Sequence, residues 1–284
     1  MPLKRIISRL DIKGPNLVKG VNLEGLRVLG NPEFFSKNYC NTGADEIIYH
    51  DCVASLYEKK YLLDLINKTS SNVFIPVSVG GGIKTLKDIE LILKNGADKV
   101  FINSAAIKKP KFLDEAVKNF GSSTISISIE ANKKKDGEYY CFHDYGRETS
   151  SKKVINWVNE VQSNGVGEII LTSIIKDGTG EGFDLELLDL VHDTIKVPLI
   201  IHGGAGNSKH ISNILKYENV SGVAISSILH YSFIRSNKFK FDNKKEGNTS
   251  YLLSNNNYFS KRFEKTSILQ IKKKLKKNHK DIRI

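Results

Sequence analysis

Two glycine turns and two carboxylates stand at matched places in this chain. Residues 79–83 (VGGGI) run a short apolar stretch into three glycines, and residues 201–206 (IHGGAG) repeat the device. Glycine turns let backbone N–H groups approach a phosphate closely, and phosphates favour the helix N-termini that follow such turns. Gly81 and Gly82 are followed by Asn103 and Ser104, and Gly203 and Gly204 by Ser226 and Ser227. Asp11 ends the first apolar run of one half, and Glu130 ends the corresponding run of the other. Two carboxylates facing one pocket can divide the work of acid and base. The doubling extends further, since GADEII (43–48) returns as GVGEII (165–170) and VFINSAA (100–106) returns loosely as VAISSIL (223–229). Such self-similarity points to two half-molecules that grip a substrate at both ends and work on its middle.

These residues need a frame. Short runs rich in Val, Ile, Ser and Thr occur at 5–11, 46–52, 73–79, 99–104, 124–130, 168–173, 198–202 and 222–228, as expected of buried parallel strands. Helical patterns alternate with them. Residues 85–96 begin with a Thr85-x-x-Asp88 cap and stop at Gly96, and 109–120 has Pro110 in its first turn. Residues 151–164 and 208–217 also read as helices, the second capped by Asn207 or Ser208. Eight such units predict an α/β fold, a (β/α)8 TIM barrel with an internal half-barrel repeat. An open doubly wound sheet would leave the repeat unexplained. The active rim of a barrel is built from the C-terminal strand ends. That rim gathers Asp11, Asp51, Gly81, Gly82, Asn103, Ser104, Glu130, Thr172, Ser173, Gly203, Gly204, Ser226 and Ser227. The loop DGTGEG (177–182), with Asp177 and Gly178, follows strand six and reads either as a cover for a ligand or as a plain turn. At the opposite rim, Arg5, Glu46, Lys99 and Glu168 start four strands. Two cations and two anions there form an ion-paired ring that either plugs the barrel or has a role of its own.

The length of 284 residues suits one barrel domain spanning 1–284. The net charge of +12 belongs to the tail: residues 235–284 hold 15 Lys and Arg against 4 Asp and Glu, leaving 28 against 27 in the rest. Residues 235–266 read as a polar insertion. In 267–284, Ile268, Ile271 and Leu275 share one helical face, so the lysines around them read as a solvated face, with contact to membrane headgroups as the alternative. The tail lacks aromatic residues interleaved with its lysines, which argues against nucleic acid. Cys40, Cys52 and Cys141 show no metal spacing and read as buried small hydrophobes in a reducing compartment. His202 and His230 lack a second ligand at metal-like spacing, so no metal and no cofactor is expected. No run is apolar for the roughly 18 residues a membrane span requires, and the start lacks a secretory signal, so a cytoplasmic protein is expected.

At KRII-RLDIKG, LVKGVNLEGLR (17–27), FIPVSVGGGI (74–83), GADKVFINSAA (96–106), GEIILTS with DGT (167–179) and HGGAGN (202–207), the chain resembles the cyclase subunit of imidazole glycerol phosphate synthase. The resemblance spans residues 1–234 and the final helix. It implies a barrel that takes a bis-phosphorylated ribulosyl-formimino aminoimidazole carboxamide ribonucleotide. Ammonia attacks this substrate to give imidazole glycerol phosphate and an aminoimidazole carboxamide ribonucleotide. The family's catalytic pair falls on Asp11 and Glu130, and its phosphate turns on the two glycine sites. Lys19, within VKGV, favours the cyclase over the related isomerase. The family's ammonia gate falls on Arg5, Glu46, Lys99 and Glu168. The contexts YCN, DCV and YCF offer no glutaminase nucleophile, so a separate glutaminase docked at the N-terminal rim is implied. Three features depart from the family: Glu130 in place of Asp, His202 in place of a small residue, and the insertion. They keep two other functions open, amidine formation on a sugar with ammonia and a non-catalytic scaffold for a glutaminase.

Overall fold

The computed structural model describes residues 3–53, 60–236, 262–279 and 281–284, so most of the 235–266 insertion lies outside the described residues. Twelve strands form one sheet. They are β1 (Arg5–Lys13), β2 (Asn16–Val21), β3 (Glu24–Gly30), β4 (Glu46–Asp51), β5 (Val77–Gly80), β6 (Lys99–Ile102), β7 (Ile125–Lys133), β8 (Tyr139–His143), β9 (Glu148–Lys153), β10 (Glu168–Ser173), β11 (Leu199–His202) and β12 (Val220–Ile225). Eight of them, β1-β4-β5-β6-β7-β10-β11-β12, pair in parallel, and β12 returns to β1 with Arg5 opposite Gly222 and Ile7 opposite Ala224. The sheet therefore closes as a (β/α)8 barrel.

Alternation along the strands sorts side chains to two sides. Ile6 and Leu10 of β1 join the core between sheet and helices, with Ile47, Tyr49, Ile169 and Leu171. Ile7, Ile48, Phe101, Ile170, Ile200 and Ala224 form a separate apolar layer inside the barrel. Gly80 makes room for that layer, because a Cβ there would lie 2.2 Å from the Phe101 ring. The outer helices bury one face each. In Val154–Ser163 that face is Val154, Trp157, Val158 and Val161, a strict 3.6-residue stripe. Leu86–Lys94 carries the expected capping box between Thr85 and Asp88.

The structure departs from the expected elements and burial in several places. Residues 151–153 belong to β9 rather than to the following helix, since β9 pairs with β8. Residues 73–76 precede β5 and do not join it. Ser227 opens a helix, Ser227–Ser236, directly after β12. Cys40 is half-buried, whereas Cys52 and Cys141 are buried. The final helix, Ile268–Leu275, buries Ile268, Ile271 and Leu275 as expected, yet Lys272 is buried too, its Nζ 2.6 Å from Asp45.

Two hairpins, β2–β3 and β8–β9, rise from the barrel mouth as antiparallel extensions of β1 and β7. Their turns match: Asn22 and Leu23 have φ of 54° and 62°, and Asp144 and Tyr145 have 53° and 60°. Leu23 and Tyr145 meet in a small apolar cluster with Val18, Cys52, Val53 and Ile174. The half-barrel repeat thus extends to the hairpins and roofs part of the mouth.

Candidate active site

β1 projects Arg5, Ile7, Arg9 and Asp11 into the barrel, one above another, because side chains two residues apart share a face. Asp11 is wholly buried and both of its oxygens are taken. Oδ1 accepts from Arg9 Nε at 3.1 Å, and Oδ2 accepts from Lys19 Nζ at 2.8 Å. Lys19 also donates to Asp177 at 2.7 and 2.9 Å. Arg9 spans the barrel: Nη1 lies 3.2 Å from His202 Nδ1 and 3.3 Å from Thr172 Oγ1, and Nη2 lies 2.6 Å from His50 Nδ1. His202 Nε2 lies 3.5 Å from Asp177 Oδ1, which closes a ring of Asp11, Arg9, His202, Asp177 and Lys19. Burial would raise the Asp11 carboxyl, but Lys19 and Arg9 together hold it well below the usual carboxylate range.

Glu130, from β7, is placed differently. Its Oε2 accepts from the Gly146 N–H at 2.8 Å, while its buried Oε1 has no hydrogen-bond partner among the described residues. Burial pushes its carboxyl up to about 7, against the pull of Arg9 and the Gly146 N–H. Glu130 lines a cavity of about 410 Å³ with Gly81, Gly82, Asn103 and Ser104 of the first glycine turn. His50 and Asp51 line the same cavity, as do Lys108 and Arg147. Its size is in the range of small-molecule sites.

The space at the second glycine turn is narrow. Gly203, Gly204, Ser226 and Ser227 border a space of about 10 Å³, with His202 and Asp177 as neighbours. That volume holds roughly one water. Thr172 and Ser173 are buried, the first against His202 and Arg9, the second donating to Asp184 at 2.7 Å. The DGTGEG loop is packed down, with Gly182 N donating to Gly204 O at 2.8 Å and Gly178 against Gly20. Lys19, Asp177 and Gly178 therefore sit beneath the mouth. Arg9 and His50 were absent from the expected site, although the period of two from Asp11 and from Glu46 marks both as inward-facing.

At the opposite rim, the four expected charges form a complete ring. Arg5 bonds Glu46 at 2.8 Å and also pairs with Glu168, and Lys99 lies 3.5 Å from each carboxylate. Between this ring and Arg9 lies the interior layer, apolar among the described residues apart from the buried hydroxyl of Ser128. Among the described residues, no three His, Cys, Asp or Glu side chains are grouped to hold a metal, and no helix is long and apolar enough to cross a membrane.

This arrangement, a barrel with paired glycine turns and one carboxylate in each half, agrees with what comparison finds. A family described as histidine biosynthesis protein matches residues 5–235. The chain belongs to this histidine biosynthesis protein family. The imidazole glycerol phosphate synthase subunit HisF of Legionella pneumophila is 48% identical over 202 residues, 71% of this chain and 95% of the relative. The HisF subunit of Staphylococcus saprophyticus is 40% identical over 245 residues, 86% of this chain and 97% of its own. That of Streptococcus gordonii is 38% identical over 237 residues, 84% and 94%. In this member of the family, Arg9, His50 and His202 surround Asp11.

Proposed function

We propose that the chain is the ammonia-using cyclase subunit of an imidazole glycerol phosphate synthase. It would convert the bis-phosphorylated ribulosyl-formimino intermediate with ammonia supplied by a partner glutaminase. The observation that carries this reading is Glu130, a buried carboxyl with one unpartnered oxygen, in the wall of a 410 Å³ cavity beside the first glycine turn. A carboxyl raised to about 7 exists in both protonation states near neutral pH, as an acid–base catalyst must. Asp11, ion-paired twice, contributes a fixed negative charge beneath it. The ring of Arg5, Glu46, Lys99 and Glu168 is the entry for ammonia, which must travel uncharged, and the apolar layer beyond it supports that passage. Leu3 and Phe74, 54% and 87% exposed beside the starts of β1 and β5, favour a docked glutaminase on that face. The test is turnover of the ribulosyl intermediate by the isolated chain in ammonium salt, and with glutamine once a glutaminase is added. A folded chain without turnover in ammonium salt refutes this function.

One observation favours a second reading. His202 and Arg9 fill the space beside Gly203 and Gly204, so a substrate with one anionic end fits the cavity better than one with two. Amidine formation on a sugar with ammonia uses the same acid–base group and the same delivery path. Product formed from an activated sugar and ammonium, with none from the ribulosyl intermediate, decides for it.

A further inference from the structure

The β8–β9 turn holds a run of left-handed residues. Asp144, Tyr145 and Gly146 are consecutive left-handed residues. For the two that are not glycine this conformation costs about 1 kcal/mol each. The strain places two groups. It turns the Gly146 N–H onto Glu130 Oε2 at 2.8 Å, and it directs the Tyr145 side chain inward, where the residue is buried. The turn is anchored from outside. Asp144 N donates to Ser104 Oγ at 2.9 Å, and Lys108 Nζ lies 2.9 Å from the Asp144 carboxylate.

Tyr145 lines the same cavity as Glu130. Its hydroxyl is buried beside the Cys52 thiol, a weak partner, and makes no other hydrogen bond among the described residues. Buried hydroxyls are nearly always partnered. Here two such oxygens, Tyr145 Oη and Glu130 Oε1, belong to residues that line one cavity, and the turn that carries Tyr145 also holds Glu130 through the Gly146 N–H. Strain and unmet hydrogen bonds concentrate where a ligand completes them. The phenol stays protonated, since burial and the Asp11 charge raise it well above its ordinary value, so it acts as a donor.

We propose that Tyr145 is a further catalytic residue, whose phenol donates a hydrogen bond to an oxygen or nitrogen acceptor of the substrate beside Glu130. This rests on the acid–base reading of Glu130. The phenol keeps its proton and orients the acceptor, while Glu130 moves the proton.

Tyr145→Phe removes only the hydroxyl and keeps the ring in its apolar cluster. With the ribulosyl intermediate and ammonium salt, kcat/KM should fall roughly 5- to 30-fold, the worth of one hydrogen bond in a closed site. The unfolding midpoint should stay the same or rise, because an unsatisfied buried hydroxyl is gone. A kcat/KM within twofold of the unsubstituted chain overturns the proposal. If the unsubstituted chain does not turn over this substrate, the cyclase function fails separately. Calorimetric binding of ribose 5-phosphate then decides Tyr145. Weaker binding by Tyr145→Phe supports it, and equal binding, or none by either protein, overturns it.

Discussion

Arg9 Nη2 lies 2.6 Å from His50 Nδ1, and this contact sets the protonation of the layer around it. A guanidinium only donates, so Nδ1 of His50 accepts and the ring proton sits on Nε2. The same logic applies to Arg9 Nη1 and His202 Nδ1 at 3.2 Å. Burial and then the Arg9 charge bring His50 down to about 3 and hold His202 well below its ordinary value. Both histidines are neutral at pH 7. Asp11 is ionised by its two cations. Of the carboxyl and imidazole groups in this layer, Glu130 titrates near neutrality.

Glu130 should make stability depend on pH between about 4.5 and 7. Its folded value, about 7, is above its ordinary 4.5. A raised carboxyl binds its proton more tightly in the folded chain. Its contribution is therefore complete below 4.5 and is lost as pH rises through 7. The difference corresponds to about 3 kcal/mol. Urea unfolding from pH 4.5 to 8.5 should show this decline, and Glu130→Gln should flatten it. Parallel curves for the two proteins contradict the assignment.

Lys19 holds Asp11 and Asp177 together in a site where all three are buried. Replacing it by Met keeps most of the volume but leaves the Asp177 carboxylate without its cation, and Asp11 with Arg9 alone. Removing one member of a buried charge cluster costs about 3–5 kcal/mol. Lys19→Met should lose that much in denaturant unfolding at pH 7. Part of the loss should return at low pH, where protonation relieves the carboxylates. A loss under 1 kcal/mol would mean that water reaches this cluster.

Much of this was legible in the sequence. Eight apolar runs, the doubled glycine turns and the charges at strand starts determine the closed ring and its two rims. Arg9 and His50 were missed because attention to strand ends passes over residues one pleat below them. Writing β1 as Arg5, Ile7, Arg9, Asp11 against Ile6, Ser8, Leu10 would have exposed the buried guanidinium. The two hairpins were less visible. Their turns place Leu23 and Tyr145 in left-handed conformations that neither residue prefers, so no Asn-Gly or Asp-Gly signal marks them. They form because β1 and β7 continue past the barrel and offer unpaired backbone edges.

Gly204 is required by its neighbours as well as by its φ of 106°. A Cβ there would lie 2.0 Å from the Gly182 carbonyl oxygen. Gly204→Ala must shift the DGTGEG loop and should cost at least about 2 kcal/mol. Gly137, with φ of 85° and open space around it, is the control. Gly137→Ala should cost about 1 kcal/mol, from backbone strain alone. Equal losses for the two would show that close packing at the second turn contributes nothing.

His202 decides how many anions the barrel holds. The first glycine turn opens on about 410 Å³, and the second on about 10 Å³. Inorganic phosphate should therefore bind the first turn of the unsubstituted chain more tightly than the second, and calorimetry should count the sites. His202→Ser removes the ring that stands between Arg9 and Ser226, 3.2 and 3.3 Å from its two nitrogens. The freed space lies beside Gly203 and Gly204, and Arg9 Nη1 gains a vacancy in which an anion fits. The variant should bind a second phosphate, at a cost of about 1–3 kcal/mol in stability for the lost buried contacts. Two phosphates on the unsubstituted chain would show that the second turn opens to its ligand, which favours the bis-phosphorylated substrate. One on the unsubstituted chain and two on His202→Ser would favour a substrate anchored at one end.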